Sequence, residues 1–309
     1  MSQLLSIAIR YGYAPFMALG LNAAAYFVVS GGHSYAWLAL LLATGFATAN
    51  LAERVVPWYE EWNGYHGDEV TNIWHTIVYE AQNINGVLLI PLIAWLTPWN
   101  PIWPTEWPLL AQLILALVLA DFALSFLHYL SHRLPLLWRL HSIHHGVARL
   151  NGFNGLVRHP LHQVVDLVLG TAPLVIAGMP TNVAVLLGFA ISVHLILQHS
   201  NVAYELGPFR NQLSIGRVHH LHHVNWGRDG DCNFGLFLTV WDRLLGTFQA
   251  EPARPITARD MGIDDAPNFP KSYLEQLVFP FVYKPGSGVA SDGRTSAPDP
   301  TSASVQAAE

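Results

Sequence analysis

Long apolar runs broken by short polar turns organise the first two thirds of the chain. Residues 13–29 and 35–51 are two such runs, parted by Ser30, Gly31, Gly32, His33 and Ser34. Each approaches the roughly 20 residues needed to cross a bilayer. A third run, 76–96, carries Glu80, Gln82, Asn83 and Asn85 in its first half. These polar groups are expected to face a bundle interior or a site, not lipid. The run at 108–129 is the most clearly apolar. Segments 163–177 and 181–198 follow, joined at Gly178, Met179 and Pro180. The first of them is short and contains Pro173, so a tilted or re-entrant segment is predicted. Residues 199–280 are too polar to span, and one helix is predicted there at 234–245. From Pro285 onward the Ser, Gly, Pro, Ala and Asp content predicts a disordered tail, 285–309.

Composition sharpens this pattern. Of 309 residues, 52% are apolar and only 12% charged, where a soluble domain carries about 25% charge. Mean hydropathy is +0.30, and the 11 Trp suit hydrocarbon–water boundaries. The connections 30–34, 97–107 and 178–181 hold none of the 15 Lys and Arg, which all fall on the other side of the inferred membrane. By the positive-inside rule that side and both termini are cytoplasmic. The expected fold is therefore all-α and integral to the membrane: a short transmembrane helical bundle with a cytoplasmic histidine-rich helical cap. No cleavable signal is read at the start, and the compact chain reads as a multi-pass protein of a bacterial inner membrane. The net charge of −6 and the lack of basic patches argue against nucleic acid. The single cysteine, Cys232, excludes a disulfide framework and a cysteine-ligated iron–sulfur cluster.

Histidine changes the picture most. Thirteen of the 16 lie between His128 and His223. His128 and His132 are spaced i,i+4 and share a helix face. His141, His144 and His145 form HxxHH, and so do His219, His222 and His223. Such spacing is expected to deliver three imidazoles to one metal centre. His33, His66 and His75 lie outside the cluster and are read as structural. Eight or more imidazoles buried beside hydrocarbon without partners would be costly, and neutral imidazole is a good ligand for iron, zinc, copper and nickel. One ion cannot use eight; two can.

The stretch DFALSFLHYLSHRLPLLWRLHSIHH and the later RVHHLHHVNWGRDGDCNFGLFLTVWDRLLGTF resemble the membrane fatty acid hydroxylase and sterol desaturase superfamily. Asp121 stands seven residues before His128, and Leu137, Trp138 and Arg139 lead into the first HxxHH. Asn233-Phe234-Gly235, Trp241-Asp242-Arg243 and Gly246-Thr247-Phe248 match the trailing signature. The resemblance covers about residues 70–250. It implies an iron- and dioxygen-dependent oxidoreductase of the monooxygenase type that hydroxylates or desaturates a C–H bond of a sterol, fatty acyl or ether lipid. It implies two Fe held by His128, His132, His141, His144, His145, His159, His199, His219, His222 and His223, with His162 and His194 as further candidates. His220 points off its box's face and is left out. No catalytic residue beyond the ligands is implied. The domains expected are a transmembrane hairpin at 1–55, a fatty acid hydroxylase-like catalytic region at 56–250, an extension at 251–284 and the tail.

Carboxylates commonly fix ligand imidazoles by accepting their second N–H. Asp121, Asp166, Asp229, Asp231 and Asp242 are candidates for that task, with Asp121, Asp242 and the orienting amide of Asn233 foremost. Asp121 reads equally as a polar interhelical contact. Asp242 has the alternatives of pairing with Arg243 or capping the cytoplasmic layer. No nicotinamide or flavin motif is present, so electrons are expected from a separate ferredoxin, cytochrome or reductase. The lipid substrate is expected to arrive laterally from the bilayer. Competing classes are a zinc-dependent membrane hydrolase or isomerase, a haem-binding electron carrier and a metal transporter. Zinc is also a candidate occupant in a purified sample, because imidazole holds it well. Three or four ligands suffice for a zinc site, and a b-type haem needs two, so neither explains the histidine count. A transporter would place polar groups midway through several spans.

Overall fold

The computed structural model describes residues 3–97 and 99–284; the predicted tail at 285–309 lies outside them. The described residues are helical, with three isolated antiparallel bridges. Helix α1 is Gln3–Ser30, and α2 is Ala36–Val55. Helix α3, Glu69–Leu88, continues after a 41° bend into α4, Ile90–Leu96. Pro91 explains the bend, since it has no N–H to give to the preceding turn. Helix α5 is Leu109–Arg133, and α6 is Pro135–His145. Helix α7, Pro160–Ile176, precedes α8, Thr181–His199. Three short α-helices follow among the described residues: α9 at Arg217–His222, α10 at Val240–Leu245 and α11 at Tyr273–Val282.

Helices α1, α2, α5 and α8 are long and apolar enough to cross a membrane, and bent α3–α4 makes a fifth if counted as one span. The expected run at 163–177 falls short of that length. It is the broken helix α7, interrupted by a π-helical turn at Leu167–Thr171 just before Pro173. The missing Pro173 N–H accounts for the irregular turn.

Helix α8 is the shaft of the bundle. Thirteen of its 19 residues are buried, against eight of 25 in α5. It is apolar on all sides, as a helix surrounded by others must be. Helices α1 and α2 reach it closely at Gly45, where a methyl group would come within 3.2 Å of Leu21 and 3.9 Å of Ile196. Small residues allow such approach between membrane helices.

One end of the bundle carries the loops that lack Lys and Arg. There the Ile102 and Trp103 amides both donate to the Ala177 carbonyl at 2.9 Å, joining two of these loops. The other end gathers the C-termini of α2, α5 and α8. A short helical turn at Gly152–Leu156 lies across the end of α8. At Gly155 a Cβ would sit 2.2 Å from the Leu195 carbonyl oxygen, so only glycine lets this turn settle there. Glu53, 5% exposed at the end of α2, accepts from the Gly152 amide at 2.8 Å and the Asn201 amide at 3.1 Å. Removing that carboxylate would leave two buried donors unsatisfied, at about 1–3 kcal/mol each.

The predicted helix at 234–245 exists only as Val240–Leu245. The amides that a longer helix would need are taken by side chains. Phe234 and Gly235 donate to the two Asp242 carboxylate oxygens at 2.7 and 2.8 Å. Leu236 donates to the Ser125 hydroxyl at 2.9 Å and Phe237 to Asp121 at 2.7 Å. The segment is thereby held extended against α5, with its carbonyls free to serve the site.

Candidate metal centre

Nine imidazoles from α5, α6, α8 and α9 converge at this end in two groups. His128, His132, His141, His145 and His222 form one; His144, His199, His219 and His223 form the other. Within each group the ligand atoms lie within 4.8 Å of one another. The sequence pattern suggested that each HxxHH box serves one centre. Instead each box divides. In α6, His141 and His145 join the five-histidine group, while His144 turns to the four-histidine group. At α9 the division reverses: His219 and His223 belong to the four and His222 to the five. Helix geometry accounts for this, because residues i and i+4 differ by only about 40° around the axis while i+3 is rotated by about 100° from i+4. Two ions side by side exploit that divergence.

The four-histidine group is closed. His199 Nε2 lies 3.1 Å from His144 Nε2, 3.1 Å from His223 Nε2 and 3.0 Å from His219 Nε2. His219 and His223 are 3.1 Å apart. Four of the six edges are of this length, and a regular tetrahedron with such edges would have its centre about 1.9 Å from each corner, close to the roughly 2.0–2.1 Å of an imidazole–zinc bond. A neutral ring nitrogen facing three others makes poor hydrogen bonds but a good ligand set.

In the five-histidine group the nitrogens are orphaned. Nε2 of His128, His132, His145 and His222, and both nitrogens of His141, are buried without a hydrogen-bond partner. The opposite ring nitrogens explain the orientation. His128 Nδ1 donates to the Phe234 carbonyl at 2.9 Å, and His222 Nδ1 to the Cys232 carbonyl at 2.8 Å. In the other group His144 Nδ1 donates to Val157 at 3.0 Å and His199 Nδ1 to Leu195 at 2.9 Å. A proton held on Nδ1 leaves the Nε2 lone pair aimed inward, the form a metal takes. Burial pushes the imidazoles of His141, His144, His145, His219, His222 and His223 well below their usual pKa, so they are neutral ligands at pH 7. These residues fit two metal ions.

The carboxylates act at different removes. Asp231 is the direct partner: its Oδ1 lies 3.2 Å from His132 Nδ1, and Arg133 pairs with its other oxygen. Burial raises the Asp231 carboxyl, but His132 and Arg133 hold it below its usual pKa. Asp121 and Asp242 touch no histidine ring. Asp121 accepts from the Phe237 amide and, at 2.8 Å, from Trp241 Nε1. Together with Asp242 it fixes the strand-like segment whose Phe234 carbonyl orients His128. Asn233 sits at φ 57° and joins the Val218 and Gln249 carbonyls, at 2.8 and 2.9 Å, which ties α9 to the segment after α10. The Asp229 side chain lies outside the described atoms.

Three remaining candidates belong to neither group. His159 caps α7, its Nδ1 accepting from the Leu161 amide at 3.1 Å, and its Nε2 donates to the Leu277 carbonyl at 3.1 Å. His194 Nε2 donates to the Leu236 carbonyl at 2.6 Å. His162 is adjacent, its ring 4.9 Å from His141, with Nε2 3.0 Å from the Ser131 hydroxyl and Nδ1 3.3 Å from Asp166. His220 packs against Trp62, outside both groups.

A cavity of about 830 Å³ runs from this centre into the bundle. His128, His141, His144 and His219 form its floor, and α2, α3, α4, α7 and α8 form its walls. A second cavity of about 420 Å³ reaches His132, His145 and His222 from the side of residues 224–231 and 262–265.

Fold and site together define a multi-pass membrane oxidoreductase with a histidine-built centre suited to two non-haem metals. Residues 113–247 match the fatty acid hydroxylase family model. The chain is 32% identical to the ornithine lipid hydroxylase OlsE of Rhizobium tropici over 269 residues, covering 84% of this chain and 80% of that protein. It is 29% identical to human alkylglycerol monooxygenase over 42% of the chain and 29% of the relative. The zebrafish alkylglycerol monooxygenase is 28% identical over 53% of the chain and 36% of the relative. No solved structure matches. The protein belongs to the fatty acid hydroxylase family.

Proposed function

We propose that the chain is a diiron lipid hydroxylase, with the nine clustered histidines as its iron ligands. Two groups of neutral, inward-aimed imidazoles at the floor of a bilayer-depth cavity carry this reading. The names of the relatives, a lipid hydroxylase and a monooxygenase, favour hydroxylation over desaturation. Bound there, two irons would supply the activation of dioxygen and the oxidation of an unactivated C–H bond, chemistry that side chains do not supply.

The chain's own residues do the rest. Carbonyls of Phe234, Cys232, Val157 and Leu195 hold the ligand tautomers, and Asp231 anchors His132. The apolar walls seat a lipid chain, exclude water and bring one C–H bond to the histidine floor. The overall change consumes one dioxygen and two electrons with two protons, giving an alcohol and water. The electrons come from a separate ferredoxin, cytochrome or reductase. The smaller cavity offers that donor the nearest approach, at His132, His145 and His222. The distribution of Lys and Arg supports a cytoplasmic histidine end and, with the bacterial relative, an inner-membrane location.

The test is to load purified protein with ferrous iron and supply a ferredoxin–reductase pair and heavy-oxygen dioxygen with extracted bacterial lipids. Mass spectrometry should find a lipid carrying one heavy oxygen, absent with His199→Ala. Lipid cleavage that needs zinc and no dioxygen would overturn the reading.

A further inference from the structure

Helix α11 turns large apolar side chains away from the protein. Gln276 and Pro280 are buried on its inner side, while Leu274, Val278 and Phe281 are 73%, 56% and 63% exposed. Their i, i+4, i+7 spacing puts all three on one helix face, the face that water would normally make polar. The one acid of the helix is drawn back to its start, where Glu275 accepts from the Ser272 hydroxyl at 2.6 Å. The inner side joins α3 to α7. On α3, His75 Nε2 lies 2.7 Å from Gln276 Oε1, and the Thr71 hydroxyl donates to the Lys271 carbonyl at 2.6 Å. On α7, His159 meets the Leu277 carbonyl and packs its ring against Phe281. Both histidines lie outside the metal groups. Helices α3 and α7 also turn apolar side chains outward, among them Trp74, Ile77, Leu161 and Val164. Lys271 and Lys284, the only two lysines of the chain, stand exposed at either end of α11.

We propose that α11 lies in the plane of the membrane surface at the histidine end, with Leu274, Val278 and Phe281 among acyl chains and Lys271 and Lys284 at anionic headgroups. Two observations select lipid as the occupant of this face. The face continues the outward apolar side chains of α3, which with α4 forms a candidate span. The lysines flank the apolar stripe, the arrangement by which a helix rests at the boundary of headgroups and acyl chains. Their long stems let the charges reach the headgroups while the helix sits lower. Anionic lipid attracts such cations from within a Debye length. Helices α3 and α7 both wall the large cavity. By holding both, α11 fixes that wall relative to the bilayer surface, and His75 and His159 serve as its pins. This placement is independent of the metal centre.

A nitroxide on the exposed face tests this. Full-length Val278→Cys protein is spin-labelled and placed in nanodiscs of phosphatidylcholine, with or without phosphatidylglycerol. Native Cys232 is 5% exposed, so wild type treated with the same label is the blank. Power-saturation EPR compares collisions with oxygen, which gathers in hydrocarbon, and with a nickel chelate confined to water. Oxygen collisions should dominate, and their excess over nickel should rise by about twofold when phosphatidylglycerol is present. Lys271→Gln with Lys284→Gln should abolish that rise. Leu274→Cys carries the label instead should Val278→Cys disturb folding, judged by size exclusion. Nickel-dominated collisions would place the face in water and overturn the membrane seat. Few collisions with either reagent would mean that protein covers the face, which overturns it equally. A ratio indifferent to phosphatidylglycerol, or a rise that survives in the double lysine variant, would overturn the headgroup contact.

Discussion

The two histidine groups differ in closure. In the four-histidine group His199 Nε2 lies 3.0–3.1 Å from the Nε2 atoms of the other three, and all four residues are buried. The five-histidine group is looser, and His128 and His132 are only partly buried. Only the five-histidine group meets the smaller cavity, through His132, His145 and His222. Both groups touch the large cavity. The comparison teaches a division of labour: the four-histidine group would hold an ion without a spare ligand, the five-histidine group with one more ligand and more open space. A four-coordinate imidazole set is complete by itself. A fifth nitrogen lets a site lose one bond and still hold its ion.

The strongest way to break this comparison is to remove one ligand from each group. His199→Ala should lower the metal content from about two ions per chain to about one and abolish lipid oxidation. His145→Ala should leave nearly two ions, bound more weakly. Elemental analysis of both variants after identical loading checks this, and equal losses in the two would erase the distinction. The next effect is smaller. Asp231→Asn removes the carboxylate beside His132 and should weaken only the five-histidine ion, by about 10–100-fold, as for other outer partners of metal ligands. A chelator competition that releases the two ions in separate phases reads this directly.

Acid gives a third, broader test. Six cap imidazoles are held well below their usual pKa by burial and stay neutral in the folded protein. Unfolded, they take protons below about pH 6.5. The unfolded state therefore binds more protons as pH falls, and stability must drop with it. Above that pH both states are neutral and these groups contribute no slope. The thermal midpoint of metal-free protein should be flat above about pH 7 and fall below about pH 6.5. A midpoint that rises on acidification would contradict neutral, buried rings.

Much of this was legible in the chain. The apolar runs located α2, α5 and α8 within a few residues, because membrane helices must be long and apolar along their length, while α1 starts at Gln3, ten residues before its expected run. The short, irregular α7 was legible from its length and Pro173, whereas the bend at Pro91 was not read, since it follows from a backbone donor that proline lacks. The histidine spacing pointed to metal, and nine of its ten foremost ligand candidates meet in space. How they divide was not legible, because i+3 and i+4 look alike on one helix face until a second centre is present to separate them. The false extension of α10 has a similar origin. Residues 234–239 have helical hydrophobicity, but Asp121, Ser125 and Asp242 claim their amides from elsewhere in the chain. Asp231, the one carboxylate paired with a clustered histidine among the described residues, carries no spacing signal; it was one aspartate among five.

Metal content with Mössbauer spectroscopy tests the central claim most directly. Protein purified in detergent is reconstituted anaerobically with ferrous iron and then oxidised. Two groups of imidazoles predict about two irons per chain in one spin-coupled pair. A single isolated iron, or none with tight zinc in its place, would contradict a diiron centre and point to hydrolytic chemistry.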